Sequence, residues 1–314
     1  MSEQLSEYIR IHCDVWDALW ARKSIGRIAV AVTPSADLLD ASAEVAAGLI
    51  TDEPDEKPAG WDARWREALS SEVRRIVAAL SLPGDAFPAM TPPRFVHGQS
   101  QGICDLFGAR PELQPDGNVF VHPLPPDPKI IDAVDLLPIE KSMYWGAVEW
   151  IRYARGCTRG LFGFRSPIMT GPFDTANYLL GTTTLLEWVY AEPETLHRLL
   201  VKITDVICAM LSALKNAAGG MLSSPHHFSC VRGGYDFASE CRSLVSREIY
   251  ETFEAPYLRR IGERHGPFAI HSCGSWERTV PSALADPNFR AMHGQIREND
   301  LQTPICQKAP APPG

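Results

Sequence analysis

Three things are missing from this sequence of 314 residues: a CxxC pair, a basic leader and a long apolar run. The start, MSEQLSEYIRIHCDVWDALW, is acidic and amphipathic. It lacks the basic-then-apolar order of a secretory signal, so a cytoplasmic protein is expected. In that compartment the eight cysteines, at 13, 104, 157, 208, 230, 241, 273 and 306, read as free thiols or metal ligands rather than disulfides. No apolar run approaches the ~18 residues of a membrane span. Positive charge is also short: 30 Lys and Arg stand against 38 Asp and Glu, a net charge of -8. That balance argues against nucleic acid or an anionic membrane as partner and leaves room only for local basic pockets.

What is present suits a single α/β barrel. The length is ordinary for one, and the 45% of hydrophobic residues can bury a large core. No internal repeat occurs. Residues 51–60 and 123–129 read as loops, because proline and charge cannot fill a core, and 309–314 as a frayed tail. Between them strand and helix signals alternate. Strands are expected at Ile28–Thr33, 118–122, 166–170, 220–224, 267–272 and 289–293. After Pro193, Leu196, Leu199, Leu200, Ile203, Ile207, Met210 and Leu214 recur at steps of three and four, the period of one buried helix face. A second helix is expected from an N-cap at Ser246 with Glu248 in its first turn, shortened or kinked by Pro256. This order predicts a parallel sheet with crossover helices.

The stretch richest in chemistry is Pro267-Phe-Ala-Ile-His271-Ser-Cys273-Gly274. In a strand, residues two apart face the same side, so His271 and Cys273 project together from its carboxyl end. That is where barrel active sites lie. An imidazole and a thiolate are both tetrahedral ligands of Zn²⁺, although two ligands alone do not hold a metal. Against this stands a His and a Cys that merely pack, with Gly274 capping the strand.

Gly171-Pro-Phe-Asp-Thr-Ala-Asn-Tyr178-Leu-Leu-Gly181, then Pro193-Glu194 with His197-Arg-Leu-Leu, then Ser246–Tyr257, then IHSCG follow one another at set distances. This succession, over about 165–300, resembles the uroporphyrinogen decarboxylase (URO-D) superfamily. The resemblance implies a (β/α)8 TIM-barrel-like fold over 1–314, incomplete at its C-terminus, since six strands are expected above and a closed barrel needs eight. Residues 1–150 would supply helices, loops and first strands, 151–300 the best-matching barrel part and 301–314 a tail. It also implies two chemistries. Zinc-dependent methyltransferases of the superfamily use a His-x-Cys pair to move a methyl group from a corrinoid, carried on a partner protein, to a thiol. The decarboxylase proper acts on a tetrapyrrole without any cofactor. Its arginine-rich early segment and its late Gly-His-Gly are absent here, which leaves methyl transfer as the leading expectation and decarboxylation as the alternative.

Within that frame Tyr178 matches the decarboxylase's active-site tyrosine, as shared chemistry or shared scaffold. Glu240 stands where members carry an acidic residue, as a substrate ligand, a base or a solvated loop residue. His226 and His227 follow a predicted strand, and His227 is the preferred one to enter the site. Arg232-Gly-Gly234 reads as a turn. Cys230 and Cys241 flank the same loop, and His293 ends the strand beside the HxC strand. His97 and His122 have no distinguishing context. Members of the superfamily continue beyond the segment matching Ile296–Asp300 and supply a late cysteine ligand, which Cys306 comes too soon to match. A truncated, non-catalytic remnant, a barrel completed by a partner, and recruitment of Glu240, His293 or Cys306 as the third ligand are the alternatives.

Overall fold

In the computed structural model, the described residues are 2–20, 23, 34–51, 57–58, 60–82, 84–85, 87–97, 101–115, 119–220, 222–223 and 234–299. They form two compact units. The first takes Met1–Val96, Gly146–Pro167 and Ala213–Tyr235, and the second His97–Trp145, Ile168–Ser212 and Asp236–Gly314.

The first unit is built on a three-stranded sheet of β1 (Ala89–Met90), β4 (Gly163–Arg165) and β6 (Leu222–Ser223), in that order. All pairs are parallel, with Met90 opposite Phe164 and Phe164 opposite Leu222. Parallel neighbours require crossovers, and helices supply them. The Ala63–Leu80 helix starts at Asp62, whose carboxylate accepts the Arg64 N–H, and buries Trp65, Leu69, Val73 and Ile76 along one stripe. Trp65 meets Tyr153 edge to face at 5.8 Å, and Trp150 meets Phe164 likewise at 6.4 Å.

The second unit holds a hairpin, β2 (Arg110–Leu113) with β3 (Val119–His122), and a four-stranded sheet. Its order is β5 (Met169–Thr170), β7 (Tyr235–Ala238), β8 (Phe268–Ser272) and β9 (Phe289–Gly294). The β5–β7 and β8–β9 pairs are parallel, with Met169 opposite Phe237 and His271 opposite His293. Phe268 packs between Phe237 and Phe289 at 6.3 and 6.0 Å, which joins three adjacent strands through one aromatic row. The Pro193–Ala217 helix, whose residues from Ala213 on belong to the first unit, buries every apolar residue of its expected stripe, each contributing roughly 1.5–3 kcal/mol. Ser246 caps the next helix by accepting the Ile249 N–H. The chain breaks at Glu254 and restarts as Ala255–His265 with Pro256 in its first turn, as a proline lacking an N–H requires.

Several expectations shift. Residues 119–122 are the second arm of an antiparallel hairpin, not a barrel strand. Within 123–129 the chain already turns into the Pro128–Asp132 helix, because Asp127 accepts the Lys129 N–H as a cap. The strand expected at 166–170 shortens to its last two residues, and β1, β2, β4 and β7 were not anticipated. Ile28–Thr33, most of 51–60 and 301–314 lie outside the described residues. Among the described residues, no helix is long and apolar enough to cross a membrane.

Candidate metal centre

The β8 strand buries Phe268, Ala269 and Ile270, leaving His271 half-buried and Cys273, one residue past its end, exposed. Alternation brings the two functional side chains to the same side: His271 Nε2 lies 3.3 Å from Cys273 Sγ. Gly274 follows because a Cβ there would stand 2.6 Å from the Ser243 side chain. The turn after β7 supplies the third group. Glu240 Oε1 lies 3.3 Å from His271 Nε2, and Oε2 accepts the Cys273 N–H at 2.6 Å. Carboxylate, imidazole and thiol thus converge, with one donor atom from each within 4.8 Å of the others.

Two deeper contacts hold this arrangement. Asp174, buried in the Pro172–Leu180 helix, accepts the N–H of Glu240 at 2.6 Å and of Cys241 at 2.9 Å, fixing the backbone from which Glu240 projects. Burial pushes the Asp174 carboxyl up to about 7, aided by the nearby Glu254 and opposed by the two backbone N–H groups. Glu254, also raised by burial, accepts the Ser239 hydroxyl, and the Arg242 charge opposes its shift. The second contact is His293. Its Nδ1 lies 2.7 Å from His271 Nδ1, and the rings stack with centroids 4.9 Å apart. Two imidazole nitrogens at that distance share one hydrogen, so one ring donates and the other accepts.

Glu240, His271 and Cys273 are brought together. Tyr178 lies one helical turn after Asp174, and its hydroxyl accepts a hydrogen bond from Gln101 Nε2 at 3.1 Å. Burial raises its phenol, which stays protonated. Among the described residues, it makes no hydrogen bond to the three donors. Cys241 is buried, its thiol pushed up by desolvation, and stands outside the donor group. His122 pairs instead with Glu112 at 2.6 Å on the hairpin. His226, His227, Cys230, Arg232 and Cys306 lie outside the described residues. Asp174 escaped the sequence reading.

Donor chemistry tests whether a metal fits. Zinc bonds of about 2.0–2.3 Å at tetrahedral angles set donors roughly 3.3–3.8 Å apart, and the two His271 Nε2 distances, both 3.3 Å, meet that spacing. Without a cation the carboxylate opposes the thiol: desolvation and the Glu240 charge both raise Cys273. The residues present fit Zn²⁺.

Parallel strands with crossover helices, and a carboxylate–imidazole–thiol group at a strand's carboxyl end, define an α/β-barrel-type protein with the makings of a metal site. The chain belongs to the uroporphyrinogen decarboxylase (URO-D) family, whose model matches residues 115–299, more than half of the sequence. That match begins well before the motifs, which are continuous only from about 165. A curated relative, the methylated-thiol–coenzyme M methyltransferase of Methanosarcina mazei, is 28% identical over 118 residues. The match covers 37% of this chain and 29% of that relative's length. Among solved structures, a methyltransferase from Methanosarcina mazei shares the fold with a TM-score of 0.58 at 15% identity. That likeness covers 88% of this chain and 73% of the other.

Proposed function

We propose that this chain is an enzyme that transfers a methyl group to a thiol at a zinc site formed by Glu240, His271 and Cys273. The observation that carries the reading is the convergence of those three donors at the end of β8. The likeness to a methyltransferase that acts on methylated thiols supports it. Bound there, zinc would act as a Lewis acid that keeps a substrate thiol deprotonated at neutral pH. Exposed Cys273 leaves one side of the site open, which suits a catalytic centre with three protein ligands and a free position. The methyl donor is a methylated corrinoid or similar carrier, presented by a partner protein. The incoming sulfur forms the S–CH₃ bond as the donor–CH₃ bond breaks.

The chain's own residues have separable tasks. With His271 Nε2 facing the metal, Nδ1 must carry the hydrogen and donate it to His293, whose own proton then resides on Nε2. His293 is therefore a positioning residue that selects the tautomer of His271. Asp174 holds the Glu240 backbone in register. Tyr178, protonated, donates a hydrogen bond to substrate.

Elemental analysis of purified protein, paired with a methyl-transfer assay over a panel of thiols, tests the reading. One zinc per chain, lost in Cys273→Ala, together with thiol methylation, is the expected result. Metal-free protein that decarboxylates a porphyrinogen would overturn it in favour of the family's namesake reaction.

A further inference from the structure

The first unit carries a second feature that the metal centre does not use. Arg152, Arg155 and Arg159 follow one another at steps of three and four and line one side of a recess of about 550 Å³, closed opposite by Asn216 and Ala217. Among the described residues, no acidic side chain lines it. Among the described residues, Arg152 alone of the three is tied to a carboxylate, Glu149 at 2.6 Å. In a protein of net charge -8, such a concentration of positive charge needs a reason. A helix C-terminus attracts one cation through its dipole, but that effect does not account for three around a concavity.

The backbone is shaped around these side chains. The Arg155 guanidinium lies against the turn at Gly219, where φ is +64° and a Cβ would stand 2.7 Å from an Arg155 terminal nitrogen. Gly160, at φ +67°, lies beside the same side chain, where a Cβ would make ordinary contact at 3.8 Å. Between them Arg159 adopts φ 52°, the one left-handed non-glycine residue among those described. That conformation ends the Trp145–Cys157 helix, with the Gly160 N–H bonded to the Arg155 carbonyl at 2.9 Å, and so turns the Arg159 side chain out beside Arg155. Two guanidinium forks, each able to bind oxygens in pairs, suit the several coplanar oxygen pairs of a phosphoryl group better than a single carboxylate. The volume falls in the range of small-molecule sites and exceeds the needs of a lone inorganic ion.

We propose that this recess binds a phosphate-bearing small molecule of nucleotide size, its phosphoryl oxygens held by Arg155 and Arg159. The site is independent of the zinc reading, since none of its residues belongs to the donor group. Calorimetric titration of the full chain with ADP and with inorganic pyrophosphate, at low ionic strength, tests it. Citrate serves as the polycarboxylate control. Both phosphates should bind, Arg155→Gln and Arg159→Gln should each weaken binding roughly tenfold, and zinc content should stay unchanged. Three results would overturn the proposal: no binding of either phosphate, equal binding by the double glutamine variant, or citrate binding as tightly as pyrophosphate. Thermal melts of the variants at the wild-type temperature confirm that lost binding is not lost folding.

Discussion

Replacing Asp174 by asparagine separates what this carboxyl does for the site from what it does to the fold. Its folded pKa is raised from 3.8 to about 7, chiefly by burial. A raised value means that the carboxyl does not oppose folding below pH 3.8, and that its penalty grows as pH climbs through 7. At roughly 1.4 kcal/mol for each pH unit between the two values, the penalty reaches about 4 kcal/mol near pH 8 and about 2 kcal/mol near pH 5. Asparagine does not titrate, so this opposition disappears at both pH values. It retains one acceptor oxygen and turns its NH₂ toward the other backbone N–H, leaving a buried donor unsatisfied at about 1–3 kcal/mol. The difference favours the variant by about 1–3 kcal/mol near pH 8 and leaves it about level near pH 5. At about 2 °C per kcal/mol for a chain of this size, Asp174→Asn should melt about 2–6 °C above wild type at the higher pH. The metal site should suffer, because the Glu240 backbone loses an anchor: zinc affinity, measured against a chromophoric chelator, should fall roughly tenfold. A variant that melts below wild type by the same margin at both pH values would refute the reasoning, and so would one whose zinc affinity is unchanged.

Further expectations follow from the same contacts. His293→Leu should weaken zinc binding by about 10–100-fold, while His293→Asn, whose side-chain oxygen falls near the lost Nδ1, should recover most of it; equal loss in both would reduce His293 to packing. Tyr178→Phe should lower kcat/KM for methyl transfer by roughly tenfold, with zinc content unchanged and Tm moved little, because only the Gln101 hydrogen bond is lost. Burial lowers the pKa of His197, which stacks on Phe253 at 4.6 Å and meets the Tyr257 hydroxyl at 2.6 Å. Its contribution is therefore present above the ordinary value of 6.5 and lost as pH falls through the folded one. Tm should decline on acidification across that window, and a shallower decline in His197→Gln would confirm the source.

Legibility in the sequence tracked how local the cause was. The Pro193–Ala217 helix declares itself through seven apolar residues at helical steps, and Ser246 and Pro256 mark a start and a break by backbone chemistry alone. β8 was readable for the same reason: a short apolar run ends in a glycine that steric contact with Ser243 requires. β7 was not, because Tyr-Asp-Phe-Ala places a wholly buried Asp236 in its middle. A polar residue inside a four-residue strand cancels the alternation by which strands are recognised. β1, at two residues, carries no period at all.

The site divides along the same line. His271 and Cys273 are two apart on one strand, and the pleat alone dictates that they face together. Glu240 reaches them from a neighbouring strand, across a ladder in which the Ser239 N–H bonds to the His271 carbonyl. Only strand order, which no local pattern encodes, sets that proximity. Asp174 is one step more remote: it touches no donor side chain and acts on the backbone of a residue 66 positions away. Its trace in the sequence is a carboxyl in a helix whose other buried residues, Thr175 apart, are apolar. A carboxyl kept where it opposes folding has to be explained by what it holds in place, and here it holds the residue that would complete the metal site.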